Sequence, residues 1–127
     1  MSSKKQKEQR YSEKELKEFD AIIDEKLAAA NEQLRFYRTQ IEELAEGGEE
    51  NVNEITDSSP TFELDRMSEL ALRQEKLIKH LENAKLRIKN KVYGVCRETG
   101  KLISKERLRA VPHATLSVHA KEKRNKR

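Results

Sequence analysis

The sequence predicts a mainly α fold, a long antiparallel coiled-coil helical hairpin followed by a small α/β knot. Three observations lead there: two stretches step their apolar residues by three and four, one polar interval separates them, and bulky residues are scarce elsewhere. The chain of 127 residues holds three Tyr, three Phe and no Trp, with 35% hydrophobic and 39% charged residues. That suits solvated helices with a narrow apolar stripe, and it leaves too little for the core of a compact α/β enzyme.

The first helix starts at Ser12, where Glu15 three residues on completes a capping box and Tyr11 and Leu16 are placed for a hydrophobic staple. Leu16 and Ile23 lead into Leu27, Ala30, Leu34, Tyr37, Ile41 and Leu44, a heptad seam. Gly47-Gly48 is expected to end it after about 35 residues, or about 50 Å. Residues 48–60 are polar and acidic without periodicity, and read as a loop. A second helix is expected from about Pro60 to Val92 on the seam Met67, Leu70, Gln74, Leu77, Leu81, Ala84 and Ile88. A tether of about a dozen residues gives the two helices a high effective concentration for each other, which favours pairing within one chain. His80, beside the seam, reads as a solvated surface residue. Acids gather near the loop: Glu49, Glu50, Glu54, Asp57, Glu63 and Asp65. Those at the second helix start are also what its dipole favours.

Beyond Val92 the period changes. Residues 93–103 read as a β-hairpin or knuckle turning at Thr99-Gly100, and a last helical stretch is expected from about His113. Val95, Ile103, Leu108, Leu116 and Val118 are the expected core there. Four segments result: a basic flexible start (1–10), the hairpin (11–92) with its acidic tip near 47–60, the knot (93–120) and a basic tail (121–127). Net charge is +4, with much of the excess at the two ends. Basic ends can contact phosphates, but no aromatic platform accompanies them, and direct DNA binding is not expected. No apolar run is long enough for a membrane span, the opening residues lack the apolar stretch of a secretory signal, and one cysteine suits a reducing compartment, so a cytoplasmic location is expected.

Two runs in the knot carry a resemblance. Tyr93-Gly94-Val95-Cys96-Arg97-Glu98-Thr99-Gly100 and Pro112-His113-Ala114-Thr115-Leu116-Ser117-Val118-His119-Ala120 are similar to the opening and close of the C4 zinc finger in the DksA/TraR family. Lys76-Leu77-Ile78-Lys79 and Arg107-Leu108 keep the same frame. The pattern resembles most the shorter DksA-like branch of Bacteroidetes-type bacteria. The resemblance implies a hairpin-plus-finger fold, no enzymatic activity, and RNA polymerase as the partner, entered through its secondary channel. It puts Asp57, Glu63 and Asp65 at the tip facing the polymerase active centre, and Arg107, Arg109 and Lys121 at its rim.

The departures are as informative. The four zinc-ligand positions fall on Cys96, Thr99, Ser117 and Ala120, so the finger is degenerate and no cofactor is expected, although the family implies zinc. His113 and His119 are a poor substitute, since His119 should point away from its neighbour's direction on a helix. Cys96 is then expected as a small buried apolar residue. The family's tip motif falls on Phe62 to Met67 and keeps only its second acid, Asp65. Of the basic positions that the resemblance connects with guanosine tetraphosphate, Lys121 matches, while the other two fall on His80 and Val111. The alternatives are a helical scaffold or adaptor that has lost polymerase-channel activity, or a weak nucleic-acid binder acting through the basic ends. No nucleophile–base pair or glycine-rich phosphate loop supports an enzyme.

Overall fold

The structure, a computed structural model, describes residues 10–50 and 60–125. Its elements are α1 (Glu13–Glu50), α2 (Pro60–Lys89), α3 (Lys105–Ala110) and α4 (Val118–Asn125). The mainly α hairpin fold is as expected. The chain divides into two compact units, one of Leu27–Lys79 and one of the described residues up to Lys26 together with those from His80 onward.

In the Leu27–Lys79 unit, Ala30, Leu34 and Ala71 are buried, and Leu27, Tyr37, Ile41, Leu44, Met67, Leu70, Gln74 and Leu77 are half-buried. This is the predicted seam, with Ala71 added. Small residues at Ala30 and Ala71 suit closely approaching helices. Arg38 pairs with Glu75 at 3.1 Å across the two helices. Both partners are exposed, so the pair orients more than it stabilises.

The other unit opens on the predicted capping box. The Ser12 N–H donates to Glu15 Oε1 (3.0 Å), and the Glu15 N–H donates to Ser12 Oγ (3.2 Å). Tyr11 reaches past Leu16, the staple residue, to meet Phe19 edge-on at 5.5 Å. Phe19 in turn packs on Tyr93 at 5.4 Å. Leu16, Phe19 and Ile23 of α1, Leu81 and Ala84 of α2, and Tyr93, Cys96, Ile103, Leu108, Ala114 and Ala120 form the apolar core. Lys85 bridges Asp20 and Asp24, and Lys91 meets Glu13 at 2.7 Å, so α1 and α2 are antiparallel here.

Several boundaries differ from expectation. Helix α1 does not stop at Gly47-Gly48 but runs 38 residues, about 57 Å, to Glu50. A glycine weakens a helix by about 1 kcal/mol and ends it only by turning left-handed. Gly47 keeps a negative φ. Helix α2 ends at Lys89 and not near Val92, because Lys91 takes the left-handed position at φ 62°. The Lys91 N–H donates to the Ile88 carbonyl (3.0 Å) and the Val92 N–H to the Arg87 carbonyl (2.9 Å), a Schellman ending. The β-hairpin shrinks to one bridge, Val95 with Leu102, closed by Gly100 at φ 74°. Helix α3 was not foreseen; Ser104 caps it by accepting from the Arg107 N–H at 3.2 Å. The last helix begins at Val118, not His113, and carries residues 121–125 of the expected tail. Val118 is exposed, and Val95 and Leu116 are half-buried, so Tyr93 and the two alanines take the places those residues were given in the core.

Candidate functional site

The knuckle is held by backbone bonds. The Cys96 N–H donates to the Lys101 carbonyl (2.8 Å), the Gly100 N–H to the Cys96 carbonyl (2.9 Å), and the Ile103 N–H to the Gly94 carbonyl (2.7 Å). Gly94 sits at φ 79° against Tyr11, whose hydroxyl donates to the Ile103 carbonyl. The Tyr93 hydroxyl donates to the Pro112 carbonyl (2.8 Å), tying the two halves of the knot. Burial pushes that phenol well above its ordinary range.

At the degenerate ligand positions, Cys96 is buried, as expected. Its Sγ accepts from the Ser117 N–H at 3.3 Å and lies 3.8 Å from Ser117 Oγ. Burial raises the thiol pKa, but hydrogen bonds from the Thr99 hydroxyl and the backbone N–H groups of Ser117, Thr99 and Glu98 outweigh it and bring it to about 6. Ser117 Oγ also accepts from the Ala120 N–H (3.1 Å), capping α4. Thr99 Oγ1 accepts from the Lys101 N–H (3.2 Å).

One thiol, two hydroxyls already engaged and a methyl do not supply the four donors of a structural zinc site. Thr99 and Ala120 line a cleft of about 310 Å³ whose other walls are Glu98, His119, Lys123 and Arg124, a cationic lining unsuited to a metal ion. Among the described residues, no group of three or more His, Cys, Asp or Glu is placed to hold one. His113 is drawn elsewhere and stacks on His80 at 5.5 Å. The solvated reading of His80 is therefore incomplete, since it is exposed but carries a ring partner.

Of the three residues expected at a polymerase rim, Arg109 and Lys121 are exposed, while Arg107 is half-buried and its Nε–H donates to the Leu116 carbonyl (2.8 Å). Arg107 thus has a structural task. Of the tip acids, Asp65 is exposed and Glu63 is half-buried beside Arg66 at 3.9 Å, both in the first turns of α2. Asp57 lies outside the described residues. The sequence reading passed over Arg87, whose Nη2–H donates to the His113 carbonyl (3.3 Å). Its place seven residues after His80, on the same helix face, was the available signal.

The fold and this geometry define a class: two long helices followed by a small knuckle-and-helix knot. Residues 91–126 match the prokaryotic dksA/traR C4-type zinc finger. The chain is 39% identical over 103 residues to the RNA polymerase-binding transcription factor DksA of Caulobacter vibrioides, covering 80% of this chain and 71% of that protein. It is 29% identical over 100 residues to general stress protein 16O of Bacillus subtilis, covering 77% and 59%. Its fold is similar to that of transcription factor DksA2 from Pseudomonas aeruginosa, with a TM-score of 0.76 at 24% identity, over 91% of this chain and 86% of that one. The chain belongs to the DksA/TraR family. Among the described residues, no helix is long and apolar enough to cross a membrane.

Proposed function

We propose that the chain is a DksA-like transcription regulator that binds RNA polymerase and performs no chemistry of its own. The observation that carries this is its likeness, along four-fifths of its length, to a polymerase-binding transcription factor. The hairpin enters the secondary channel, where Glu63 and Asp65 place negative charge near the Mg²⁺-dependent centre and alter it electrostatically. Arg109 and Lys121 contact the rim. With the family's first tip acid replaced by Phe62, the tip acts through fewer charges. With His80 and Val111 at two of three basic positions, the response to guanosine tetraphosphate is weak or absent. The knot holds its shape without zinc, through the Cys96–Ser117 contact and the tyrosine hydroxyls.

Gel filtration of the purified chain with core RNA polymerase tests the reading. Co-elution in a one-to-one complex is expected, and separate elution at micromolar concentration would overturn it.

A further inference from the structure

Residues 111–117, between α3 and α4, form no regular secondary structure, yet each is buried or half-buried. Their carbonyls need donors from elsewhere, and four residues outside the segment supply them. The Pro112 carbonyl accepts from the Tyr93 hydroxyl (2.8 Å), and the His113 carbonyl from Arg87 Nη2–H (3.3 Å). The Thr115 carbonyl accepts from the Arg97 backbone N–H (2.9 Å), and the Leu116 carbonyl from Arg107 Nε–H (2.8 Å). The Arg107 bond is the nearest of these to α4, which starts two residues beyond Leu116 at Val118.

Arg107 is also built into α3 at both ends. Its N–H donates to Ser104 Oγ, the cap of the helix (3.2 Å), and its carbonyl accepts from the Val111 N–H, which closes it (2.7 Å). One residue thus ties the start and the end of α3 to the approach of α4. Arg109 lies two residues further along α3. The Lys121 N–H donates to the carbonyl of Ser117 (2.9 Å), the residue after Leu116. The Arg109 and Lys121 side chains are both exposed, whereas that of Arg107 is turned to the backbone of its own knot. A guanidinium suits such a tie, because its planar group is pre-organised and loses less freedom per bond than a lysine does.

We propose that Arg107 is a positioning residue: its Nε–H bond to the Leu116 carbonyl fixes the spacing of Arg109 and Lys121, through which the knot binds polymerase. This rests on the polymerase-binding reading above, and it departs from the expectation that Arg107 itself meets the rim. Without the bond, the half-buried Leu116 carbonyl loses that donor. The turn into α4 then gains freedom that binding has to remove, so affinity falls although both contact residues are still present.

The test is a titration of N-terminally dye-labelled full-length chain with core RNA polymerase at about 0.1 M salt, read by fluorescence anisotropy. Three substitutions separate the charge from the hydrogen bond. Gln carries an N–H at the side-chain position of the arginine Nε but no charge, Lys keeps the charge with a methylene there, and Met has neither. Arg107→Met and Arg107→Lys are expected to weaken binding about fivefold or more, and Arg107→Gln to recover all but about twofold. With Arg109→Gln and Lys121→Gln already in place, Arg107→Met should cost less than about twofold further, since it acts through them. Circular dichroism melts check folding, and the comparison of Lys with Gln decides alone if Arg107→Met does not fold. Binding kept by Lys and lost by Gln would make Arg107 a direct charge contact and overturn the inference. Equal binding by all three variants, or a full Arg107→Met loss persisting in the doubly substituted background, overturns it too. Each of these outcomes leaves the polymerase reading intact. If the wild-type chain does not bind, the polymerase reading fails and takes the inference with it.

Discussion

Gly94 shows how closely single residues are fitted. A Cβ there would lie 2.6 Å from the Tyr11 ring and 3.2 Å from Leu108, on a backbone at φ 79°. Gly94→Ala is expected to destabilise the protein by about 2–4 kcal/mol, adding left-handed strain to overpacking. Gly100→Ala has the strain at φ 74° but open space around it, and should cost only about 1–2 kcal/mol. Denaturant melts of the two variants separate the terms, and equal costs would show that the Tyr11 contact is unimportant. His113 supplies a pH signature. Its Nδ1 is buried without a partner among the described residues, and burial, then His80 and Arg87, lower its pKa. The folded state therefore favours the neutral ring. Stability from this group is complete above the unfolded value of about 6.5 and is lost as pH falls below it. Glu15 is held down at about 2 by its bonds to Lys105 and Ser12, and Glu13 is lowered by Lys91. Both act in a separate window below the ordinary carboxylate range. Melting midpoints should drop between pH 7 and 5.5, and His113→Phe, which keeps a ring against His80, should flatten that slope. A slope unchanged by the substitution would refute the assignment.

At the scale of elements, the long helices were legible because a seam of apolar residues at heptad spacing has no other good solution in water. Their ends were not. Gly47-Gly48 looked like a stop, yet glycine only permits the left-handed turn and does not compel it. Lys91 makes that turn although no sequence rule favours lysine there. Six-residue α3 was missed because one turn and a half carries no periodicity; the Ser104 cap was its only signal. The knuckle was readable from Thr99-Gly100, but its strands never develop beyond a single bridge. The triple task of Ser117 was not legible, since it depends on where Cys96 and α4 meet. That network predicts a metal-free knot. Purified protein is expected to contain well under one zinc per chain by elemental analysis and to keep its helicity in chelator. Stoichiometric zinc whose removal melts the knot would contradict this.

Over the whole molecule, charge is partitioned. Residues 27–79 carry twelve acids and six bases, whereas residues 91–125 carry nine bases and three acids. This was countable from sequence, but which cations find acids on α1 was not, because Lys85, Lys91 and Lys105 look like the other lysines until α1 is packed beside them. The partition suits a protein that binds through its basic part and acts through its acidic part. The double change Glu63→Gln with Asp65→Asn tests that division, since Asp65 is exposed and half-buried Glu63 keeps its size as Gln, so the cost should stay at about 0.5 kcal/mol. The most direct measurement is in-vitro transcription by core polymerase with its initiation factor, at saturating wild type or variant, with binding followed in the same samples. The account predicts that the variant binds within about twofold of wild type but leaves transcript output at the level seen without the protein. A variant that binds and regulates as wild type does would contradict it.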